Sequence, residues 1–502
     1  MARLPSLPST TTGRHRRTLG VAVLALALVA TACSGGSEGD ELGFVEDSAE
    51  GTDGGPAADP NGDGVLQVGI MGECEGPFGA YHEDVVSGVV LAMVERAGAT
   101  PGSTTSALDG FTDASVAGVD IELVGIACGD DTAETALAET TRLVEELGAE
   151  VVIGPLSGDE SIAMATYALE VPDVTFINGA AGAQETTLKI QAPNYFRFNG
   201  DGAQWNAGLG DAVRNTAGWD TVAVVADDYS FGNTSAAGFI AEFCAAGGTV
   251  IHRAAPELGA TDYTDVVAAL PDPDEVDGYF WAVGGTGTAA ILDAFVADKG
   301  EIDGAQHAGN IFFNAGLADS LGPGIAGAWI GGFASLPADV TSPEIEAYIL
   351  SANATWATLP GGLTGNESAA PATTLTFGFA YTYYIAAIAL IEAIEATGGD
   401  LDPAALRTEL SFLTLDGPYG EISLDENRQA IVENAVKQMV IDDVTGEVVE
   451  RTVAIVPGVD QTFGGLFSPG SPSPSPTEPA CIQGDLPWIG QAVPVVDGVR
   501  QR

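Results

Sequence analysis

Residues 66–71 read Leu-Gln-Val-Gly-Ile-Met, a short apolar run that predicts a buried β-strand, and a helical pattern follows at 80–96. Apolar runs at 119–127, 150–153 and 174–177 repeat this signal, with helical stretches at 131–147 and 159–169 between them. Short apolar runs that alternate with helices are typical of βαβ units and a parallel sheet. The folded part of the chain therefore begins with an α/β lobe.

A second series of the same kind follows the first. Strands are predicted at 221–225, 249–253, 278–283 and 310–314, and helices at 204–216, 232–246 and 288–299. Two series of similar size predict two doubly wound, Rossmann-like α/β lobes joined by a hinge of several strands. Right-handed crossovers place the loops after the strands at one edge of each sheet, where ligands usually bind.

The predicted domains rest on composition changes along the chain and, for the returns to the two lobes, on what a resemblance to a known protein family implies. The predicted segments are a signal peptide at 1–32, an acidic flexible tether at 33–64, the first lobe at 65–198, the second lobe at 199–335, a return to the first lobe at 336–416, a return through the second lobe and hinge at 417–457, and a Ser/Pro-rich C-terminal extension at 458–502.

The N-terminal segment has the features of an export signal. Arg14, Arg16 and Arg17 precede an apolar segment at 19–30 that is too short to span a bilayer. Residues 28–33, Leu-Val-Ala-Thr-Ala-Cys, resemble a bacterial lipoprotein cleavage site, which implies that Cys33 carries lipid and anchors the protein to the outer face of the cell membrane. The alternative is an ordinary secretory signal with an incidental cysteine.

The other four cysteines are an even number in an oxidising compartment. Three pairings are possible. We expect Cys74 to pair with Cys128, because both follow strands that should be neighbours in a parallel sheet, and this leaves Cys244 for Cys481. Free buried thiols are the alternative.

The charge balance excludes one class of partner. The chain has 70 acidic and 17 basic residues and a formal net charge of −53. Nucleic-acid binding needs clustered Lys and Arg, so a nucleic-acid partner is excluded. The acidic residues are spread along the chain, which indicates a solvated acidic surface. The apolar stretch at 377–396 contains Glu392 and Glu395, and we predict a buried helix there and not a membrane span.

Several predicted strand-end loops resemble those of type I solute-binding proteins of the branched-chain amino acid and amide family. The similar segments are VGI at 68–70, GPFGAY at 76–81, VIGPLS at 152–157, FINGAAG at 176–182, YFRF at 195–198, ADDYSFG at 226–232, and GPYG at 417–420 with Asp425. The resemblance implies a periplasmic-binding-protein-like type I fold, a Venus flytrap, that closes on a small solute. It also implies delivery of the solute to an ABC permease and its ATPases.

The same loops supply the candidate ligand-binding residues. Small residues after the strands let a ligand approach backbone N–H groups, where helix N-termini favour anions. In the resembling family these loops hold a carboxylate or amide, and aromatic side chains on both lobes would cover an apolar or planar ligand. The predicted ligand-binding residues are Phe78, Tyr81, Gly154, Ser157, Asn178, Ala180, Ala181, Gly182, Asp228, Tyr229, Phe231, Gly285 and Thr286.

One loop departs from the pattern of the family. Amino acid binders carry an acidic residue after a second-lobe strand, but residues 283–288 read Val-Gly-Gly-Thr-Gly-Thr. A buried ammonium without a partner is costly, so an α-amino acid ligand requires Asp228 or Glu75 as a substitute. Glu73 and Glu75 are interpreted as solvated loop charges on either side of Cys74.

We expect a monomeric extracytoplasmic solute-binding lipoprotein without catalytic activity, cofactor or metal. The solute is predicted to be an amino acid, an amide or a related organic acid. Two alternatives belong to other functional classes. The same module is also consistent with a sensor for a membrane signalling partner, and a secreted hydrolase is the third hypothesis.

Overall fold

The computed structural model describes residues 64–309, 321–332, 343–356, 379–417, 420–496 and 498–501. The predicted signal peptide, Cys33 and the tether up to residue 63 lie outside these ranges. So do the strand predicted at 310–314 and residues 418–419 of the GPYG segment.

The first sheet has six strands and is parallel except at one edge. Its strands are β1 (Val65–Glu73), β4 (Ala114–Val116), β5 (Val119–Gly129), β6 (Val151–Ile153), β7 (Thr175–Ile177) and β8 (Tyr195–Phe196), in the order β4-β5-β1-β6-β7-β8. Only β4 is antiparallel to its neighbour, β5. A separate pair consists of β2 (Thr100–Pro101) and β3 (Phe111–Thr112). β1 is buried from Leu66 to Glu73, as expected for a central parallel strand covered on both faces.

The second sheet continues from parallel into antiparallel strands. Its strands are β9 (Thr221–Ala226), β10 (Thr249–Ala254), β11 (Gly278–Ala282), β12 (His307–Gly309), β13 (Trp329–Ile330), β16 (Ala430–Ile441), β17 (Val448–Val459), β18 (Val493–Val496) and β19 (Val499–Arg500), in the order β10-β9-β11-β12-β13-β16-β17-β18-β19. The strands from β10 to β13 are parallel. β14 (Leu415–Asp416) and β15 (Glu421–Leu424) join the sheet through β16.

Helices cover the faces of both sheets. They are α1 (His82–Arg96), α2 (Ala133–Thr141), α3 (Gly158–Ala168), α4 (Leu209–Asp211), α5 (Ser230–Ala245), α6 (Thr264–Ala268), α7 (Gly287–Lys299), α8 (Pro343–Thr355), α9 (Phe379–Thr397) and α10 (Pro403–Phe412). We call the first sheet with α1, α2, α3, α8, α9 and α10 the first lobe, and the second sheet with α4 to α7 the second lobe. The predicted α/β class and the parallel strand order are confirmed.

The helix predicted at 204–216 is interrupted in the structure. A 3-10 turn at Gln204–Asn206 and the short α4 are separated at Gly208, whose φ is +89°. A Cβ at this glycine would lie 2.4 Å from Val456 Cγ2, so the chain turns here to stay close to β17. The apolar periodicity does not reveal this break, because both pieces face the same core.

The apolar helix α9 is a core element of the first lobe. By length and composition it is the one helix in the described part of the chain that is apolar enough to cross a membrane, but 78% of its apolar window is buried. It packs so closely on α1 that a Cβ at Gly88 would lie 2.0 Å from the carbonyl oxygen of Ala380. The Tyr383 hydroxyl donates to the carbonyl oxygen of Met71, at 2.7 Å. The prediction of a buried helix is confirmed.

The connections between the lobes meet in a network of buried amides. The amide of Gln204 donates to the carbonyl oxygens of Ala430 and Val459, at 2.9 and 2.8 Å. Gln429 donates to Gln204, at 3.0 Å, and Thr187 donates to both Gln429 and Gln461, at 2.8 and 3.1 Å. We call Thr187, Gln204, Gln429 and Gln461 the hinge amide network. All four side chains are buried, and they join the first lobe to the start of β16 and the end of β17.

Two disulfides are present with the expected pairing. Cys74, which directly follows β1, is bonded to Cys128 in β5. β1 and β5 are parallel neighbours. Cys244 at the end of α5 is bonded to Cys481 in the C-terminal extension, which lies 237 residues further along the chain. The extension therefore belongs structurally to the second lobe.

Aromatic side chains also hold the extension. Trp488 is 4% exposed, and its ring lies 4.6 Å from that of Phe463 in an edge-to-face arrangement. Its indole N–H donates to the carboxyl of Glu242 on α5, at 2.9 Å. The extension is therefore part of the hydrophobic core on one face of the second sheet.

We predict that Trp488→Ala lowers the free energy of unfolding by about 3–5 kcal/mol, because a buried aromatic ring is removed. It also leaves the buried Glu242 without one donor. Urea unfolding of the purified protein measures this difference. The control is Ile482→Ala in the same extension, which removes a side chain that is 65% exposed and should change stability by less than about 0.5 kcal/mol. Equal midpoints for the two variants would contradict the core role of Trp488.

Candidate functional site

Aromatic side chains from the two lobes meet where the loops after the parallel strands face one another. Phe78 follows β1, and its ring lies 6.3 Å from that of Tyr81 and 6.3 Å from that of Tyr229 in the second lobe. Tyr229 in turn lies 5.7 Å from Phe231. The four aromatic residues predicted from the loop sequences thus form one continuous cluster between the lobes.

Two further aromatic residues complete this cluster. Trp205 lies 5.8 Å from Phe231, and Phe379 at the start of α9 lies 4.8 Å from Tyr81. Sequence reasoning missed both, because each lies in a helical pattern that also fits ordinary core packing. Trp205 lies next to the predicted crossover between the lobes, and this position is a signal that would have identified it.

The cluster leaves a cavity of only about 10 Å³, which is room for about one water molecule. This is below the roughly 300–1,000 Å³ of typical ligand pockets, so the lobes lie close together here. The lining residues, which we call the aromatic cleft, are Phe78, Leu156, Ala180, Gly182, Trp205, Tyr229, Phe231 and Phe379.

Backbone hydrogen bonds join the lobes beside the aromatic cleft. The N–H of Thr286 donates to the carbonyl oxygen of Pro77, at 3.1 Å, and the N–H of Ser230 donates to the carboxyl of Asp159, at 3.1 Å. Gly285 has a φ of +57°, and a Cβ there would lie 2.5 Å from the carbonyl oxygen of Pro77. The predicted pair Gly285 and Thr286 therefore contacts the opposite lobe directly.

The backbone donors that were expected to hold a ligand carboxylate bind groups of the chain itself. The N–H groups of Leu156 and Ser157 donate to Glu73 Oε1, at 3.0 and 2.6 Å. Those of Ala180 and Ala181 donate to the carbonyl oxygen of Pro155, at 3.0 and 3.2 Å. The N-terminus of α3 is an anion site, as predicted from the loop, but its anion is Glu73.

Glu73 itself corrects an expectation from the sequence. It was interpreted as a solvated loop charge, whereas its side chain is fully buried. It is hydrogen-bonded to the carboxyl of Glu160 on α3. Neither Glu73 Oε2 nor Glu160 Oε2 has another partner, so one proton must lie between these two carboxyl groups. Burial and the charge of Glu73 raise the pKa of Glu160 far above its ordinary range, so Glu160 holds the proton.

A third carboxyl group lies next to this pair. Asp131 is 8% exposed and accepts the N–H of Phe78, at 3.0 Å. Burial, together with the charge of Glu73, raises the pKa of Asp131 to about 7. We call Glu73, Asp131 and Glu160 the carboxyl cluster. It lies directly behind Phe78 of the aromatic cleft.

Other predicted residues have roles within one lobe. The amide of Asn178 donates to the carbonyl oxygen of Ala181 and its oxygen accepts the hydroxyl of Tyr195, at 3.3 and 3.0 Å. A Cβ at Gly154 would lie 2.2 Å from the carbonyl oxygen of Met71, so this glycine allows β6 to pass close to β1. Ser157 Oγ is buried with no hydrogen-bond partner.

The structure brings Asp227, and not the predicted Asp228, to the inner side of the second-lobe loop. Asp228 is exposed. Asp227 is fully buried and accepts the N–H of Gly284, at 2.9 Å. Burial raises the pKa of Asp227 to about 7. Side chains alternate between the two faces of β9. Continued beyond the strand, this alternation places Asp227 and not Asp228 on the inner side, and it is the sequence signal that distinguishes the two residues.

No group of three or more His, Cys, Asp or Glu arranged to hold a metal ion occurs among the described residues.

The fold is similar to that of known binding proteins. The sequence profile described as periplasmic binding protein matches residues 65–443. No curated protein sequence matches the chain significantly.

Solved structures show the same likeness. A solute-binding protein of an ABC transporter from R. palustris, in complex with benzoate, is 20% identical with a TM-score of 0.62, over 79% of this chain and 97% of its own. The leucine-binding protein LivK from Thermotoga maritima is 19% identical with a TM-score of 0.60, over 78% of this chain and 99% of its own. An ABC transporter substrate-binding protein from Sphaerobacter thermophilus is 20% identical with a TM-score of 0.62, over 79% and 99%. At these identities the likeness shows the fold.

The carboxyl cluster predicts that the protein loses stability as the pH rises from 6.5 to 8.5. Glu160 and Asp131 have raised pKa values in the folded state, so the folded protein binds more protons than the unfolded chain in this range. The range begins at the ordinary pKa of histidine, about 6.5, and the titration of buried histidines would act in the opposite direction. Thermal unfolding at the two pH values measures the loss.

Glu160→Gln provides the control for this prediction. An amide at this position can donate to Glu73 and accept the N–H groups of Asp130 and Asp131 without titrating. We expect the variant to fold and to show a smaller decrease in Tm between pH 6.5 and 8.5 than the wild type. An identical decrease in both proteins would contradict the assignment of the proton to Glu160.

Proposed function

Because the chain belongs to the periplasmic binding protein family, we propose that it captures a small solute between its two lobes and delivers it to an ABC permease. The family implies a solute-binding role and a location outside the cytoplasm. One observation carries the proposal for the site. Aromatic residues on strand-end loops of both lobes meet in one cleft, with Phe78 and Tyr229 6.3 Å apart. A ligand there would touch both lobes, so binding and lobe closure would be coupled.

The hinge supports the same mechanism. The hinge amide network joins the lobes through hydrogen bonds, while the aromatic cleft lies at the strand-end loops of both sheets. Rotation about the hinge would break the contacts from Thr286 to Pro77 and from Ser230 to Asp159 and would open the cleft. We propose that closure on the solute is the recognition signal for the permease and that no bond of the solute is broken.

Further parts of the proposal rest on the sequence. Lipid on Cys33 would hold the protein at the outer face of the cell membrane, and residues 33–64 would act as a tether. The lobe boundaries near residues 198, 335 and 416, the monomeric state and the ligand-binding roles of the predicted residues stay predictions. Among those residues, Phe78, Ala180, Gly182, Tyr229 and Phe231 line the aromatic cleft and are the strongest candidates.

We predict that Phe231→Ala weakens solute binding about tenfold or more, because truncating a central buried aromatic residue typically costs about 2 kcal/mol of binding energy. A thermal-shift panel of leucine, benzoate, benzyl alcohol and benzylammonium first identifies a solute that stabilises the wild type. A solute at 100 times its Kd should stabilise by about 2.7 kcal/mol. The variant is then titrated with that solute.

The control for this experiment is Phe412→Ala, which removes a ring that is 83% exposed at the end of α10. Its affinity should equal that of the wild type. Unchanged affinity in Phe231→Ala would remove the aromatic cleft as the solute site.

We predict that Gly158→Leu prevents closure while both lobes stay folded. A Cβ at this position would lie 2.2 Å from Ser230 Oγ and 3.1 Å from the N atom of Phe231, which belong to the opposite lobe. Small-angle scattering should show that the solute from the panel reduces the radius of gyration of the wild type and leaves that of the variant unchanged. Gly484→Leu is the control, since no atom lies within 4 Å of a Cβ there. Equal contraction of Gly158→Leu and wild type would refute the closure mechanism.

A further inference from the structure

We propose that the aromatic cleft binds an organic cation, an ammonium group attached to an apolar or aromatic body, and rejects carboxylates. This inference rests on the proposed solute-binding function and names the class of solute. It differs from the organic acid expected from the sequence.

The first argument is that a carboxylate of the protein itself occupies the backbone donors that could bind an anionic solute. In this fold the N-terminus of α3 presents N–H groups toward the cleft, and an anionic solute would bind to such groups. The N–H groups of Leu156 and Ser157 are both taken by Glu73 Oε1. A solute carboxylate would have to displace a buried carboxylate of the protein, and two carboxylates at this point would repel each other.

The second argument is the absence of positive charge at the cleft. None of the Lys and Arg side chains in the described ranges lines the aromatic cleft. Those that form ion pairs elsewhere are Arg96, Arg142, Arg214, Lys299, Lys437, Arg451 and Arg500. Those that donate to backbone carbonyl oxygens elsewhere are Lys189, Arg197, Arg253, Arg407 and Arg428. A buried anion would therefore meet no counter-charge.

The third argument is the negative charge behind the aromatic wall. Four carboxyl groups act on Tyr229 and raise its pKa beyond the effect of its burial: Asp227, Asp131, Asp159 and Glu73. They come from the strand-end loops and helix starts of both lobes. Asp131 is more than nine-tenths buried and accepts the N–H of Phe78. A cation in the cleft would supply the charge that these groups lack.

The fourth argument is the character of the lining itself. Phe78, Trp205, Tyr229, Phe231 and Phe379 surround the cleft, and the faces of aromatic rings attract cations. A wall of aromatic rings is the usual means of binding an ammonium group. Carboxyl groups placed behind the rings strengthen this attraction without contacting the solute.

Three ligands of the same shape and different charge test the proposal on the unmodified full chain. Benzylammonium, benzyl alcohol and benzoate share one ring and carry a positive, zero and negative charge. Calorimetric titration at pH 8 ensures that carboxyl groups with a pKa raised to about 7 are ionised. We expect benzylammonium to bind about thirtyfold tighter than benzyl alcohol, which corresponds to a cation–π gain of about 2 kcal/mol, and benzoate not to bind.

Binding of benzoate equal to or tighter than that of benzylammonium overturns the cation proposal and leaves the solute-binding function in place. If benzylammonium, benzyl alcohol, benzoate and leucine all fail to bind, the cation proposal is overturned and the proposed function loses its support as well. The two failures are thus distinguished by whether any solute in the series binds.

A matched pair of variants tests the role of the carboxyl groups. Asp131→Asn keeps the acceptor for the N–H of Phe78 and removes a negative charge behind the cleft. We expect it to weaken benzylammonium binding at least about fivefold and to change benzyl alcohol binding less than twofold. Asp130→Asn, next in sequence and hydrogen-bonded to Thr132 and Thr135 on the solvent side, should change neither. An equal loss for the charged and the neutral ligand in Asp131→Asn would indicate a packing role only and would count against the proposal.

Discussion

The N–H groups of Leu156 and Ser157 donate hydrogen bonds to the carboxylate of Glu73, and these bonds connect two segments of the first lobe beside the aromatic cleft. They tie the end of β1 to the start of α3, at the sheet edge where the loops carry the aromatic residues. The N–H of Ser157, the N-cap of α3, is one of the backbone donors that a helix start leaves without an intrahelical partner, and the N–H of Leu156 lies one residue before it. Because Glu160 shares a proton with Glu73, the pair carries one negative charge and not two, which makes the burial of both tolerable.

These hydrogen bonds also affect the chemistry of the cleft. Glu73 occupies the backbone donors of Leu156 and Ser157, and the carboxyl cluster gives the surroundings of Phe78 a negative character. Aromatic rings then form the surface that a solute meets, while the polar groups lie behind them. In the proposed site, the aromatic rings would contact the solute and determine which shapes fit, while the carboxyl groups would respond to its charge.

The sequence predicts the fold well because each signal is local. Apolar runs mark the parallel strands, and neighbouring strands place Cys74 beside Cys128. The aromatic loop residues Phe78 and Tyr229 stand out among glycines and polar residues, and they do meet between the lobes. These inferences need only the periodicity of the chain and the rule that strand ends of a parallel sheet share one edge.

The polar part of the site depends on contacts between residues that are far apart in the sequence, so local sequence patterns do not predict it. A glutamate beside a cysteine has the same sequence pattern whether it is solvated or bound to a helix start 83 residues away, as Glu73 is. Asp227 and Asp228 differ only in the side of the strand on which they fall. Phe379 is indistinguishable in sequence from a core residue of a helix. Each outcome depends on which groups the tertiary fold brings together.

The composition of the hinge amide network bears on the surroundings in which the protein can work. A chain with a formal net charge of −53 is suited to brines, where dissolved ions weaken the repulsion between its carboxylates. Gln204, Gln429 and Gln461 are neutral, and dipoles in direct contact are hardly affected by such ions. Gln461 also donates to the carboxylate of Asp425, at 2.7 Å. The hydrogen bonds among the amides are therefore less sensitive to dissolved salt than the repulsion between the surface carboxylates.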